Sequence, residues 1–165
     1  VNALSTWMEV HVNRDGGEYF IRFENGGHPV GHLKRIGDQN GRGTTVTFQP
    51  DPTIFTETTV YNYDTIRNHL RQMAFLNGGI SIVLIDERGE LPVQESFKYD
   101  GGIREYVSYI DTNKLPVNPT PSYCQGAEEV TLADGETKER IYGEIALQWT
   151  DSYSQDGIYS FCNNN

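Results

Sequence analysis

Two runs of alternating polar and apolar residues near the start of the chain constrain its fold most strongly. WMEVHVN covers residues 7–13, EYFIRFEN covers residues 18–25, and Asp15-Gly16 between them is a turn signal. Side chains that alternate in this way point to opposite faces of a strand. The apolar side of the first run consists of Met8, Val10 and Val12. The pattern predicts a β-hairpin with one half-buried face.

Three further elements are predicted in the middle of the chain. TTVTF (44–48) favours a strand that is closed by Pro50. Residues 61–79 predict the clearest helix. Its apolar face consists of Ile66, Leu70, Met73 and Ala74. ISIVLID (80–86) is apolar on both faces, which is typical of a central strand that is covered on both sides.

Shorter signals fill the gaps between these elements. VNALS (1–5) has the pattern of a helix end, and residues 26–37 predict a glycine-rich loop with a short strand. A strand is predicted at residues 93–98. Asp100 is then placed to cap a helix over residues 101–113.

The last third of the chain predicts strands. Three prolines in LPVNPTP end the preceding helix. Residues 128–149 predict a hairpin that turns at Asp134-Gly135, and residues 157–162 predict another strand. One side of the hairpin consists of Ile141, Ile145, Leu147 and Trp149. Because helices and strands are mixed without a regular β-α-β order, the fold class is α+β.

Composition argues against several classes of function. The net charge of −10 over 165 residues disfavours tight binding to a phosphate backbone by these residues alone. No run of about 18 apolar residues occurs, so no membrane span is expected. Cys124 and Cys162 lack metal-ligand spacing, and a proline separates His28 from His32. We therefore expect no metal site, and two half-buried thiols in a cytoplasmic protein.

One glycine-rich loop is a weak candidate for ligand binding. Gly41-Arg42-Gly43-Thr44 can present backbone N–H groups and a hydroxyl to an anion. The loop lacks the G-x-x-x-x-G-K-[ST] spacing, and a strand rather than a helix follows it. A bend that leads into a strand is the simpler interpretation, and both stay open on these residues alone.

Five stretches of the sequence resemble, in order, one protein family. They are VNALS (1–5), IG…GRGTTVTFQPDPTIF (36–55), RQMAFLNGGISIVLIDERG (71–89), YDGGIREYVSYIDTNK (99–114) and GEIALQW…IYSFCNNN (143–165). The chain resembles the ATPase subunits of bacterial type II topoisomerases, namely the B subunits of DNA gyrase and of its relative topoisomerase IV. The third stretch favours gyrase. The resemblance covers essentially the whole chain and implies an internal part of a longer protein.

The resemblance implies two domains and several partners. Residues 1–100 correspond to the C-terminal part of a GHKL (Bergerat) ATPase domain, a sandwich of mixed sheet and helices. Residues 101–165 correspond to the start of a ribosomal-protein-S5-like transducer domain. In this family, ATP binding by two B subunits closes a gate over DNA and hydrolysis resets it, which drives strand passage and negative supercoiling. The implied partners are the A subunit of DNA gyrase, DNA and a second B subunit, without a membrane.

The resemblance also assigns roles to four residues. Thr44 would bind the adenine end of ATP through its hydroxyl and an ordered water. Gly43 would let the backbone approach the nucleotide closely, and Val46 would line the adenine pocket. Arg14 matches the arginine that binds aminocoumarin inhibitors at the rim. Without the resemblance, Thr44 is an ordinary strand threonine, Val46 is a core valine and Arg14 is a solvated turn arginine.

Other functional residues of the family fall outside the sequence. The catalytic glutamate, the magnesium-binding asparagine and the glycine-rich lid correspond to positions before Val1, and the phosphate-contacting Gln-x-Lys corresponds to positions after Asn165. ATP and Mg²⁺ are thus expected for the full-length protein, and no catalytic or metal-binding residue is expected here. Gln49 stands where many relatives carry a large aromatic residue, which should affect packing more than chemistry.

Three alternatives to gyrase stay open. Two lie in the same superfamily: the B subunit of topoisomerase IV and a mismatch-repair ATPase. The third is a non-catalytic scaffold module that kept the GHKL fold.

We predict that the 165-residue chain alone does not hydrolyse ATP, because the catalytic and metal-binding groups of the family lie outside it. A turnover assay with the purified chain and magnesium checks this. Magnesium-dependent release of phosphate above the buffer rate would contradict it.

Overall fold

The computed structural model describes residues 1–133, 135–152 and 157–163, and these form two compact units. The N-terminal unit is Val1–Tyr61, and the C-terminal unit is Asn62–Asn165. Within the described ranges, none of the helices combines the length and apolar character needed to cross a membrane. The mixture of sheets and helices confirms the predicted α+β class.

The N-terminal unit is a five-stranded antiparallel sheet that follows a short 3-10 helix, Asn2–Leu4. Its strands are β1 Ser5–Arg14, β2 Gly17–Glu24, β3 His28–Pro29, β4 Lys34–Asp38 and β5 Gly43–Pro50. The strand order is β3-β2-β1-β5, and β4 also pairs with β2. The hairpin predicted from residues 7–25 and the strand predicted at residues 44–48 are both confirmed.

The pairing register separates this sheet into a polar face and an apolar face. Val10 on β1 lies opposite Ile21 on β2 and Val46 on β5. Directly paired residues share a face, and successive residues alternate. The apolar face also contains Met8, Val12, Tyr19, Phe23, Thr44 and Phe48.

Side-chain contacts on the polar face connect β2, β1 and β5. Arg22 on β2 forms an ion pair with Glu9 on β1 and stacks over the Trp7 ring at 5.1 Å. Trp7 Nε1 donates to Gln49 Oε1 on β5 at 2.9 Å. Thr6 Oγ1 donates to the same oxygen at 3.1 Å. Gln49 therefore ties β5 to β1 through two hydrogen bonds.

The described part of the C-terminal unit contains two helices and two antiparallel strand pairs. Its elements are α1 Tyr63–Leu76, β6 Ser81–Asp86, β7 Val93–Lys98, α2 Ile103–Ile110, β8 Ser122–Thr131 and β9 Lys138–Leu147. β6 pairs with β7, and β8 pairs with β9. Asn62 caps α1, because its side-chain oxygen accepts from the Thr65 N–H at 2.9 Å. The predicted helix within residues 61–79 is thus confirmed, with its apolar face half-buried or buried.

The core of this unit lies around Phe75 near the end of α1. Phe75 is 1% exposed and stacks on Tyr99, with ring centroids 3.5 Å apart. Tyr106 and Tyr109 on α2 contact the same ring at 5.0 and 5.3 Å. Arg71, one turn earlier, donates to Tyr109 Oη at 2.9 Å. An aromatic cluster thus holds α2 on α1.

Two expectations about strands and caps are wrong. β6 is not covered on both sides, because Val83 and Ile85 are about half exposed and its only strand partner among the described residues is β7. Gly102, with φ of 59°, caps α2 instead of Asp100. Asp100 instead forms an ion pair with Lys98 at 3.4 Å. Glycine takes this backbone conformation without the steric penalty of a side chain.

Two expectations about the end of the chain are also wrong. Residues 157–162 form no strand, because no described segment offers them a backbone ladder. Cys124 and Cys162 are exposed rather than half-buried, and both thiols are free. The hairpin predicted over residues 128–149 is confirmed as the β8–β9 pair. Of its predicted turn, Asp134 lies outside the described residues.

The turn after β6 generates a prediction about pH. The Arg88 guanidinium donates to both oxygens of Asp86, at 2.8 and 2.6 Å, and the Arg88 backbone N–H donates at 3.1 Å. These bonds lower the pKa of Asp86 from 3.8 to about 2. A depressed pKa contributes stability that is fully present above pH 3.8 and is lost as the pH falls through about 2.

We expect the Asp86 carboxyl to titrate near pH 2 in an NMR titration of side-chain carbons. Arg88→Gln removes the guanidinium and leaves the backbone donor, so the midpoint should move partway towards 3.8. A wild-type midpoint at the ordinary aspartate value would contradict the bidentate contact.

Candidate functional site

The candidate residues lie where β1 and β5 pair at one end of the N-terminal sheet. Thr44 is opposite Val12, and Val46 is opposite Val10. Both therefore lie on the apolar face. Their spacing of two residues along one strand already predicted that they share a face. Arg14 follows Val12 on the same side of β1, so that its side chain begins diagonally across from Thr44.

Thr44 and Val46 are open to solvent in this unit. Val46 is 50% exposed, although valine is usually a core residue on a strand. Thr44 is also exposed, and within the described ranges its hydroxyl has no hydrogen-bond partner. A free hydroxyl beside an exposed branched side chain suits a flat ligand with a polar edge, such as a heteroaromatic base.

Gly43 occupies the other face of the strand. It pairs with Asn13 on β1, and a methyl group built on Gly43 would meet nothing within 4 Å. Its backbone is also not in the left-handed region that favours glycine. The fold of the described residues therefore imposes no need for glycine at this position.

Arg14 ends β1 at the rim of this face. Its side chain is 65% exposed, and Nε donates to Asp15 Oδ2 at 3.2 Å. Because the pair is exposed, its contribution to stability is small, and Arg14 can exchange this contact for a ligand at little cost. The structure thus brings Arg14, Thr44 and Val46 to one face and leaves Gly43 on the other.

An apolar cavity of about 290 Å³ lies further along the same face. Phe48 follows Val46 on this side of β5 and lines the cavity. The other apolar lining residues are Val1, Leu4, Pro50, Phe55, Val60 and Tyr61. Sequence reasoning missed this cavity, because residues 55–61 carry no periodic pattern; the only signal was that Phe48 alternates in phase with Val46.

The described residues hold no group of three or more His, Cys, Asp or Glu side chains that could bind a metal. His28 lies on β3 and is exposed, and His32 is exposed in the loop that follows. The chemistry available at this face is therefore that of a hydroxyl, a guanidinium and apolar side chains.

Comparison with known proteins points to a single family. The family model described as DNA gyrase B matches residues 102–165. The B subunit of DNA topoisomerase 4 of Enterococcus faecalis is 48% identical over 99% of this chain and 22% of its own length. The B subunit of DNA gyrase of Bacillus cereus is 42% identical over 98% of this chain and 37% of its own length. That of Treponema denticola is 40% identical over 99% of this chain and 24% of its own length.

A solved structure supports the same relationship. The 43K ATPase domain of Thermus thermophilus gyrase B, crystallised with an aminocoumarin, matches with a TM-score of 0.70 and 30% identity. The match covers 77% of this chain and 34% of the other. The fold is therefore that of the gyrase B ATPase region.

Together, the fold and these matches define the class as B subunits of bacterial type II topoisomerases. The chain belongs to the family of DNA gyrase B and topoisomerase IV B subunits and corresponds to part of their ATPase region. The chain spans 22% to 37% of the length of these curated relatives.

We predict that Gly43→Ala leaves the stability of the chain unchanged, within about 0.5 kcal/mol. The added methyl group meets open space and strains no backbone angle. Thermal unfolding of the wild type and the variant, followed by circular dichroism, measures the difference. A clear fall in the melting temperature of the variant would show that the fold itself needs this glycine.

Proposed function

We propose that the face formed by β1 and β5 binds the adenine end of ATP. The observation that carries this proposal is the register that places the unpaired Thr44 hydroxyl beside the exposed side chain of Val46. The Thr44 hydroxyl both donates and accepts, so it can bind a ring nitrogen directly and an exocyclic amine through a water. Val46 covers the flat face of the base.

Gly43 contributes through its missing side chain. The open space beside Gly43 lies on the face opposite Thr44 and Val46, so the glycine would expose its own backbone at the start of β5 and would not widen the ligand face. Arg14 does not contact the base in this proposal. It lies at the rim and binds aminocoumarin inhibitors, which is supported by the crystallised complex of the related Thermus thermophilus domain.

Magnitudes show how much of the binding these residues supply. A hydrogen bond from Thr44 contributes about 1 kcal/mol. Covering the exposed half of Val46 contributes about 1 kcal/mol more. Micromolar affinity needs about 8 kcal/mol. Most of the binding energy must therefore come from groups outside these residues, in keeping with a partial adenine site.

Hydrolysis in this proposal takes place elsewhere in the full-length protein. Mg²⁺, when bound, would neutralise charge on the phosphates, but the described residues offer no carboxylate cluster for it. We therefore assign ATP contact to this chain and assign the metal and the catalytic base to other parts of the protein.

For the whole protein, we propose the ATP-binding subunit of a type II DNA topoisomerase in the cytoplasm. It would dimerise with a second B subunit on binding ATP, and it would act on DNA together with the A subunit of gyrase. The names of the relatives support this proposal. The start of the family match at residue 102 supports a boundary between an ATPase domain over residues 1–100 and a transducer domain over residues 101–165.

The B subunit of topoisomerase IV is a second candidate. It is favoured by the 48% identity to the Enterococcus faecalis protein, against 42% and 40% for the two gyrase relatives compared above. Assays of the full-length B subunit together with its cognate A subunit distinguish the two candidates. Negative supercoiling of relaxed DNA indicates gyrase, whereas ATP-dependent decatenation without negative supercoiling indicates topoisomerase IV.

We predict that Thr44→Val in the full-length protein weakens binding of a non-hydrolysable ATP analogue roughly three- to tenfold, because one hydrogen bond is lost at nearly constant shape. Calorimetric titration measures the change. Thr45→Val is the matched control, because it makes the same substitution on the other face of β5.

Equal effects of the two valine variants would contradict a specific contact at Thr44. Wild-type affinity of Thr44→Val would contradict the adenine role itself.

A further inference from the structure

A tightly packed position lies beside Arg14 at the β1–β2 hairpin. Gly17 is the cross-strand partner of Arg14 and is buried. A methyl group on Gly17 would lie 2.8 Å from Arg35 Nε and 3.0 Å from Tyr19 Cε2. The Arg35 side chain and the Tyr19 ring therefore occupy the space that a side chain at residue 17 would take.

The register of β4 puts Arg35 on the same face as the candidate site. Arg35 pairs with Tyr19 on β2, and Tyr19 pairs with Val12 on β1. Val12 in turn is opposite Thr44. Since paired residues share a face, one row across four strands contains Arg35, Tyr19, Val12 and Thr44.

Arg14 and Arg35 are both neighbours of Gly17. Cross-strand side chains begin about 5 Å apart, so Arg35 Nε over Gly17 lies beside the base of the Arg14 side chain. Two cations thus flank one point of the face in a chain whose net charge is −10. Each of them forms an ion pair with a carboxylate, Arg14 with Asp15 and Arg35 with Asp38.

Those carboxylates leave part of Arg35 available. Arg35 Nη2 donates to Asp38 Oδ1 at 2.5 Å and to the Gly16 carbonyl at 3.4 Å. Within the described ranges, Nε and Nη1 of Arg35 make no hydrogen bond. Asp38 therefore orients the guanidinium, two of its donor atoms make no hydrogen bond to the described residues, and the side chain is 55% exposed.

We propose that Arg35 is a specificity-determining residue that, with Arg14 and Tyr19, forms a two-arginine rim for ligands that reach past the adenine site. The rim suits a planar aromatic group that carries carbonyl or anionic oxygens. Such a group stacks on the Tyr19 ring or a guanidinium plane and accepts hydrogen bonds from Arg35 Nε and Nη1. The assignment rests on the proposed ligand site at Thr44.

Titration of an aminocoumarin into the full-length protein tests this assignment. Arg35→Gln should weaken aminocoumarin binding roughly tenfold, because a charge-assisted hydrogen bond is lost. Gly17→Ala should weaken it in the same direction, because the new methyl group displaces the flexible end of Arg35 without left-handed backbone strain. Thermal melting of each variant checks that it folds.

Lys34→Gln is the matched control. Lys34 neighbours Arg35 on β4 but pairs with Phe20, on the opposite face of the sheet. The Lys34→Gln substitution removes one positive charge from β4, as Arg35→Gln does, but on the other face. It should therefore leave aminocoumarin affinity within about twofold of the wild type.

Three results would overturn the assignment: no aminocoumarin binding by the wild type, wild-type affinity of Arg35→Gln, or an equal loss in Lys34→Gln. A parallel titration of the wild type with a non-hydrolysable ATP analogue keeps the two proposals apart. Absence of that binding alone would count against the adenine site, whereas the aminocoumarin titrations decide the role of Arg35.

Discussion

The backbone pairing of β1 with β5 is the constraint on which the candidate site depends. These strands are distant in sequence, and their register runs from Ser5 opposite Pro50 to Asn13 opposite Gly43. A slip by one residue would move Thr44 and Val46 to the polar face and bring Gly43 and Thr45 to the apolar one. The bonds from Trp7 and Thr6 to Gln49 fix this register from the polar side.

The two faces of the sheet therefore serve different purposes. On the polar face, ion pairs and hydrogen bonds between neighbouring strands satisfy one another and hold the sheet together. On the apolar face, Phe48 and Val46 stay partly open, and the polar side chains of Thr44 and Arg14 lie at the end of the face beyond Val46. A ligand that is flat and apolar over most of its area, with polar atoms at one edge, complements this arrangement.

Local patterns predicted the elements, and long-range packing decided what covers them. The alternation in residues 7–25 and the 3.6-residue spacing in residues 61–79 both gave correct elements, because each pattern is local. The prediction that β6 is covered on both sides was wrong, because the apolar residues of a strand do not specify which elements pack against it. Thr44 and Val46 could be placed on one face by counting residues, whereas the packing of Arg35 against Gly17 depends on the register of β4, a strand that the glycine-rich sequence conceals.

The central claim is that Thr44 and Val46 contact the adenine of ATP, and a crystal structure of the full-length protein with a non-hydrolysable ATP analogue tests it most directly. The account predicts the base against Val46, with the Thr44 hydroxyl within hydrogen-bond distance of the base or of a water bound to it. A base bound on the other face of β5, beside Thr45, or away from β5 altogether would contradict it.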